Sequence, residues 1–423
     1  MFSAKARVEF TVLVALLATG IGLRLAELTF LALPIAIHLV GAYAWAAWDR
    51  RPRLTAHRTL SAARIWEHET VEIETTIENM GVRVELVHVT DPLPPGLRLV
   101  DGTTEEVREL AAGEAVQLRC AAEARRGVYP LPAVRVEAED LLGYTMWNDD
   151  LPCSAPLVVV PRFETISGIA ISPRRTLPQS GTARSRRGGA GIEFFGTREY
   201  RPGDEMRRIN WKAAARLDEL VVTEFEEERA ADVAVVLDVR DRAYRGQGAT
   251  DLLDHAARAA ASLCQTFLAQ GHRVGLLMYG AYLDWVYPGC GRRHGERLLR
   301  ELARAKLGSS EVFAEISRLP TRLLRAGSQV ALVSPLLPGD DVDLGALASR
   351  GYRVLALIVD AATSEETSLG TGLQVELARR ILTLERWALL GRLHAARVTP
   401  LVWDVRYPLA PQAKAVWRRK RTR

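Results

Sequence analysis

Val233-Ala234-Val235-Val236-Leu237 is an unbroken apolar run that ends on Asp238. A run with no polar alternation and three valines suits a central parallel strand covered on both faces, because a strand with one wet face would alternate. Downstream, Leu253, Ala257, Ala260, Cys264, Phe267 and Leu268 recur at helical steps, and Gly271 stands where such a helix would stop. Further strands are expected over 273–279, 282–286, 329–334, 354–359 and 398–403. They alternate with helical stretches near 292–306, 312–324, 344–350 and 373–394. That order predicts a doubly wound α/β sheet over 231–410. Such sheets bind ligands beyond the carboxyl ends of their strands, where Asp238 and Ser334 fall.

Upstream the pattern changes twice. From Val8 to Trp48 the chain is almost continuously apolar, about twice the length one membrane-crossing helix needs, and is broken only around Arg24 and Glu27. We read residues 1–50 as a two-helix transmembrane hairpin, with spans near 8–23 and 28–48. A cleaved signal peptide or a buried helical pair are the alternatives. Lys5 and Arg7 precede it and Arg50, Arg51 and Arg53 follow it, so the positive-inside rule puts the rest of the chain on the cytoplasmic side of the cell membrane. Over 51–162, the alternation Thr70-Val71-Glu72-Ile73-Glu74 and Val134-Arg135-Val136-Glu137, punctuated by Asn79-Met80-Gly81 and Pro94-Pro95-Gly96, predicts an antiparallel β-sandwich. His57, His68 and His88 lack metal-motif spacing and read as surface or turn histidines.

Composition narrows the function classes. A net charge of +5 over 423 residues, with acids interleaved, does not predict nucleic-acid binding; only Arg184-Ser185-Arg186-Arg187 and Arg418–Arg423 form basic clusters. That last cluster, in a tail at 411–423, would lie on anionic headgroups or fray into solvent. Four scattered cysteines argue for a reducing compartment and against a zinc site. There is no nucleophile elbow, no H-E-x-x-H and no complete phosphate loop, so no catalytic residue, cofactor or metal is expected.

Between 163 and 230, a linker and motif segment, the densest polar cluster runs from Glu193-Phe194 through Arg198, Tyr200, Gly203, Asp204 and Arg208 to Trp211. Pro202-Gly203-Asp204 predicts a turn whose aspartate caps a helix from Glu205 towards Leu217, with Trp211 inserting its ring. The cluster would either lock this segment onto the α/β domain or present a partner-docking surface.

At these residues the chain resembles the domain of unknown function 58 family, as it does at Arg126-Gly127-Val128-Tyr129 and Asp140-Leu141-Leu142-Gly143. The resemblance implies a membrane hairpin, a β-rich domain and a von Willebrand factor A-like domain. Family members are often encoded beside MoxR-type AAA+ ATPases, so it also implies an adaptor that binds such an ATPase in assembly or chaperone-like work. A von Willebrand A domain holds a divalent cation through Asp-x-Ser-x-Ser. Here that stretch is Asp238-Val239-Arg240-Asp241-Arg242, with both serines replaced by arginine, and Ser334 is followed by Pro335 where an acid would help. We expect a degraded site in which the Arg240 guanidinium pairs with Asp238 in place of a metal. Competing readings are a hydrolase acting at the strand ends and a nucleic-acid-binding protein working through the two basic clusters.

Overall fold

The computed structural model describes residues 4–47, 52–139, 146–169, 177–178, 188–217, 219–226, 229–244, 249–280, 283–310, 315–320, 324, 327–360 and 373–421. Asp140–Gly143 and Arg184–Arg187, named above, lie outside them. The chain forms two compact units, Met1–Val160 and Pro161–Arg423.

The first unit begins with helices α1 (Ala4–Gly22) and α2 (Ala26–Ala47), joined by a turn in which Arg24 takes a positive φ of 52°. Buried Ala6 meets buried Ala42 near Leu39, so the two helices lie antiparallel with small residues between them. Phe10, Val14, Phe30, Leu33, Ile37 and Val40 are exposed on the pair. Among the described residues no helix is long and apolar enough to cross a membrane. Lys5, Arg7 and Glu9 occupy the start of α1.

Eleven strands follow: β1 (Leu54–Leu60), β2 (Arg64–Trp66), β3 (Thr70–Asn79), β4 (Val84–Thr90), β5 (Leu97–Gly102), β6 (Glu105–Leu110), β7 (Ala115–Ala124), β8 (Gly127–Pro130), β9 (Val134–Glu139), β10 (Met146–Leu151) and β11 (Pro156–Val160). They form sheets ordered β1-β3-β7-β5, β10-β9-β4-β6 and β2-β11-β8. Alternation places one face of each long strand inside, so Val71, Ile73 and Ile77 of β3 are buried while Glu72 and Glu78 are exposed. The pairing is antiparallel except between β2 and β11. Inside this β-rich region the Arg58 guanidinium is buried on Asp91 and on the carbonyls of Pro132 (3.0 Å) and Cys153 (2.8 Å). The alternating pattern of β1 gave no sign of this.

In the second unit, β12 (Leu177–Pro178) pairs with β15 (Arg229–Ala230), and β13 (Gly188–Glu199) pairs with β14 (Val221–Glu226). Within 163–230, residues 177–178, 188–199, 221–226 and 229–230 are therefore paired strand. The six-stranded sheet contains β16 (Asp232–Asp238), β17 (Arg273–Tyr279), β18 (Leu283–Gly289), β19 (Gln329–Ser334), β20 (Arg353–Asp360) and β21 (Thr399–Asp404), in the order β18-β17-β16-β19-β20-β21. All neighbours are parallel except β17 and β18. Every residue of β16 is buried, as its unbroken apolar run requires. Helix α4 (Ala249–Ala269) covers the sheet with Leu253, Ala257, Ala260, Cys264 and Phe267 buried. The helices α5 (Arg292–Arg304), α6 (Asp340–Ser349), α7 (Leu373–Ala395) and α8 (Leu409–Arg421) complete the unit, and α3 (Trp211–Leu217) lies in the motif segment.

Two expectations are corrected here. The described part of the helix expected over 312–324 contains only a 3-10 turn at Ile316–Arg318. Residues 409–421 are helical, with Leu409, Ala413 and Trp417 buried, because apolar residues spaced by four give this stretch an inner face that its basic composition concealed.

Candidate functional site

Strand order reverses between β16 and β19, one leading out to β17 and the other to β20, so the crevice at their carboxyl ends is the topological switch point. Asp238 and Ser334 end these two strands and meet there. The Ser334 hydroxyl donates to Asp238 Oδ2 at 2.6 Å. The remaining lone pairs of Asp238 are taken by Arg240: its backbone N–H (2.9 Å) and Nε (3.0 Å) donate to Oδ1, and Nη2 donates to Oδ2 at 2.8 Å. The outer fork of the same guanidinium holds Asp340, with Nη1 to Oδ1 at 3.1 Å and Nη2 to Oδ2 at 2.7 Å. Arg240 thus bridges two carboxylates.

The loop is built for this. Asp241 N–H donates to Gly308 O and Gly308 N–H donates to Val239 O, which pins residues 239–241 alongside residue 308. Tyr244 OH donates to the Asp238 carbonyl at 2.7 Å. On the other side Gly280 makes a close approach, since a Cβ there would sit 2.4 Å from the Arg240 nitrogen. Asp340 Oδ2 also accepts from Leu337 N–H at 2.7 Å, and Ser334 Oγ accepts from Leu336 N–H at 2.9 Å.

Asp238 is 1% exposed, Arg240 3%, Asp340 4% and Ser334 0%, so these charges pair within the protein. Burial pulls the Arg240 pKa down, but the hydrogen bonds and charges of Asp238 and Asp340 outweigh it and leave the guanidinium held above its ordinary value. Asp340 moves up: burial raises it by more than its bonds to Arg240 lower it.

The arrangement extends along the sheet edge. Asp360 ends β20 and is gripped by both terminal nitrogens of Arg386, while Asp404 ends β21 and is held by Arg406, with Nη2 to Oδ2 at 2.7 Å. Three parallel strands therefore terminate on an aspartate paired to an arginine. Among the described residues no cluster of histidine, cysteine and carboxylate side chains is grouped to hold a metal ion. Arg242, the other arginine at a metal-motif position, sits in the 3-10 turn Asp241–Ala243, where its backbone N–H donates to Asp241 Oδ1 at 2.7 Å.

The motif segment forms a second, shallower cluster. Arg198, next to last in β13, forks onto Asp204, Nη1 to Oδ2 and Nη2 to Oδ1, both 2.7 Å. Asp204 Oδ2 also accepts from Arg201 N–H at 2.8 Å, closing a turn in which Gly203 takes a φ of +107°. The Arg198 hydrogen bond, chiefly, and that of Arg201 N–H hold Asp204 well below the ordinary 3.8, at about 2. Tyr200 N–H donates to Leu220 O, and Arg208 Nε lies 3.3 Å from Glu205 Oε2. Glu193 and Phe194 lie in β13, and their side chains are outside the described ones.

Here two expectations fail. Asp204 does not cap a helix, because residues 206–208 form a 3-10 turn and the helix starts at Trp211, capped by Asn210, whose Oδ1 accepts from Ala213 N–H at 3.0 Å. Trp211 does not insert either. It is the first residue of α3, on the outer side of a helix only seven residues long, and is 62% exposed. Met206 is 70% exposed and Leu220 is exposed as well, while Ile209, Val221 and Val222 form the buried side.

Sequence reasoning missed Asp340, which stands six residues after Ser334 on the next helix, and the repeated aspartate at strand ends. The latter signal was present at Asp360 and Asp404.

The profile of the family described as "Protein of unknown function DUF58" matches residues 196–378, which span the motif turn and strands β16 to β20. The uncharacterized protein YeaD of Bacillus subtilis is 23% identical over 253 residues, 59% of this chain and 60% of that protein. The uncharacterized protein Rv1480 of Mycobacterium tuberculosis is 30% identical over 179 residues, 40% of this chain and 56% of that protein. The chain thus spans about six-tenths or less of the length of these relatives. Among solved structures, the CARDB domain of a Pyrococcus furiosus protein aligns with 26% of this chain and 90% of its own, at 15% identity and a TM-score of 0.19.

Proposed function

We propose that this protein is a membrane-anchored protein-interaction module whose α/β unit is a von Willebrand factor A-like domain with an arginine in place of the metal. The observation that carries this reading is the Arg240 guanidinium, which occupies the switch-point crevice and satisfies the carboxylates of Asp238 and Asp340 internally. With that crevice filled, recognition passes to the motif turn, where exposed Met206 and Trp211 follow the Arg198–Asp204 fork within a few residues along the chain. Exposed aromatic and methionine side chains rimmed by charge are the composition of docking surfaces.

Over the described residues neither α1 nor α2 is long and apolar enough to cross a membrane by itself, but their apolar outer side chains support contact of the helical pair with lipid, and the flanking Lys5, Arg7 and Arg53 support a cytoplasmic position for the rest. A MoxR-type AAA+ ATPase is the partner that the family resemblance favours.

The test is a crosslinked pull-down of the anchored chain from its own membranes, native against Trp211→Ala. Recovery of an ATPase by the native chain and its loss in the variant is the expected result. Equal recovery by both would remove the motif turn from the interface, and recovery of no protein by the native chain would overturn the module reading.

A further inference from the structure

Helix α7 carries an apolar seam that none of the described residues of its own unit covers. Its carboxyl half is docked: Leu389, Leu390 and Leu393 pack against the core, and Arg386 and Arg392 grip Asp360 and Asp341. Leu377, Ile381, Leu382 and Leu384 of its amino half and Trp387 just beyond it are exposed, the last two at 68% and 72%.

Placed on a heptad, Leu377 and Leu384 take d positions, and Ile381 and Ala388 take a positions. The docked residues Arg386 and Leu393 then take f, Leu389 b and Leu390 c, all away from the seam, while Arg392 takes e beside its carboxyl end, so most of the a/d seam faces away from the unit that holds it. Ile381 at a between Leu377 and Leu384 at d is the combination that favours two parallel strands, and Ala388 leaves room for close approach at the next a. Arg380 falls at g and Glu385 at the following e, the pair that meets across a parallel two-stranded seam. A two-fold axis makes that contact twice, so the face is complementary in charge to itself, with Arg380 also 3.3 Å from Glu376 of its own helix.

We propose that the exposed seam of α7 binds the same seam of a second copy of this chain, in parallel register. The seam runs from Leu377 to Ala388, about three helical turns. That is short for a free peptide, but here the helix is already held by its docked half, so pairing does not have to nucleate it.

The test uses the full chain in detergent. Light scattering should give the mass of two chains for the native protein and of one chain for Ile381→Asp combined with Leu384→Asp. These positions are exposed, so the melting temperature should be unchanged. Arg380→Glu and Glu385→Arg should each reduce the two-chain fraction, and combining them should restore it. In a Cys290→Ser background, Leu384→Cys should crosslink to its own symmetry mate on mild oxidation, as the d positions of parallel helices meet. A native mass of one chain overturns the proposal, as does a two-chain mass that the double aspartate variant retains. Charge reversal without restoration also overturns it, and absence of the Leu384→Cys crosslink overturns the parallel register.

Discussion

Two arginine–aspartate forks in the second unit use the same chemistry at different depths. Arg240 lies among Asp238, Asp340 and Ser334 with its side chain 3% exposed, whereas Arg198 grips Asp204 where both partners keep contact with water. Depth decides what each can do. A buried guanidinium between two carboxylates cannot be released without stranding charge, so it acts as a fixed filling of the crevice. A fork at the surface holds a turn in shape, is screened by salt, and leaves its neighbours free to meet another molecule.

The largest test of that difference is Arg240→Ala. It leaves Asp238 and Asp340 facing each other in the interior, and urea denaturation should show a loss of about 3 to 5 kcal/mol. The deficit should narrow as pH falls, because the stranded carboxylates then take up protons. A loss no greater than that of an ordinary surface substitution would mean that the crevice is wet. Arg240→Lys should recover little, since an ammonium cannot fork to both acids at once.

A smaller effect is expected from Asp204→Ala. It should lower the melting temperature by less than Arg240→Ala does, and added salt should shrink the difference. The two native aspartates should also respond to pH with opposite sign. Asp204 is held at about 2 from the ordinary 3.8, so its contribution is present above 3.8 and is lost as pH falls through about 2. Asp340 is raised, so its contribution is full below the ordinary aspartate value and is lost as pH rises through its folded pKa. Stability curves for Asp204→Asn and Asp340→Asn, each subtracted from the native curve, should slope in opposite directions. Parallel slopes would show that both aspartates sit in one kind of environment.

The smallest change in stability belongs to Trp211→Ala, within about 0.5 kcal/mol, because the ring is exposed. A loss of several times that would place the ring in a core and undo its role in docking.

Much of the α/β unit was legible because buried parallel strands announce themselves. Arg273–Tyr279 and Gln329–Ser334 were bounded by the point where apolar residues begin and end. The β-rich region was readable from alternation in β3 and β9. What stayed hidden depends on contacts distant in sequence. Arg58 looks like a surface residue of an alternating strand, yet it finds Asp91 and the carbonyl of Cys153 inside. Asp340 comes to Arg240 across 100 positions, so no local spacing could assign it. The Asp238–Arg240 contact was readable because the partners stand only two positions apart. Trp211 was misplaced because a tryptophan near a helix start suggests burial, whereas a short helix capped by Asn210 presents that position outward.

The most direct measurement of the central claim is a calorimetric titration of magnesium into the native chain and into Arg240→Ser. If the guanidinium fills the crevice, the native chain gives no stoichiometric binding. The variant, left with the oxygens of Asp238, Ser334 and Asp340, gains it. Stoichiometric binding by the native chain that disappears in Asp238→Ala would contradict the account.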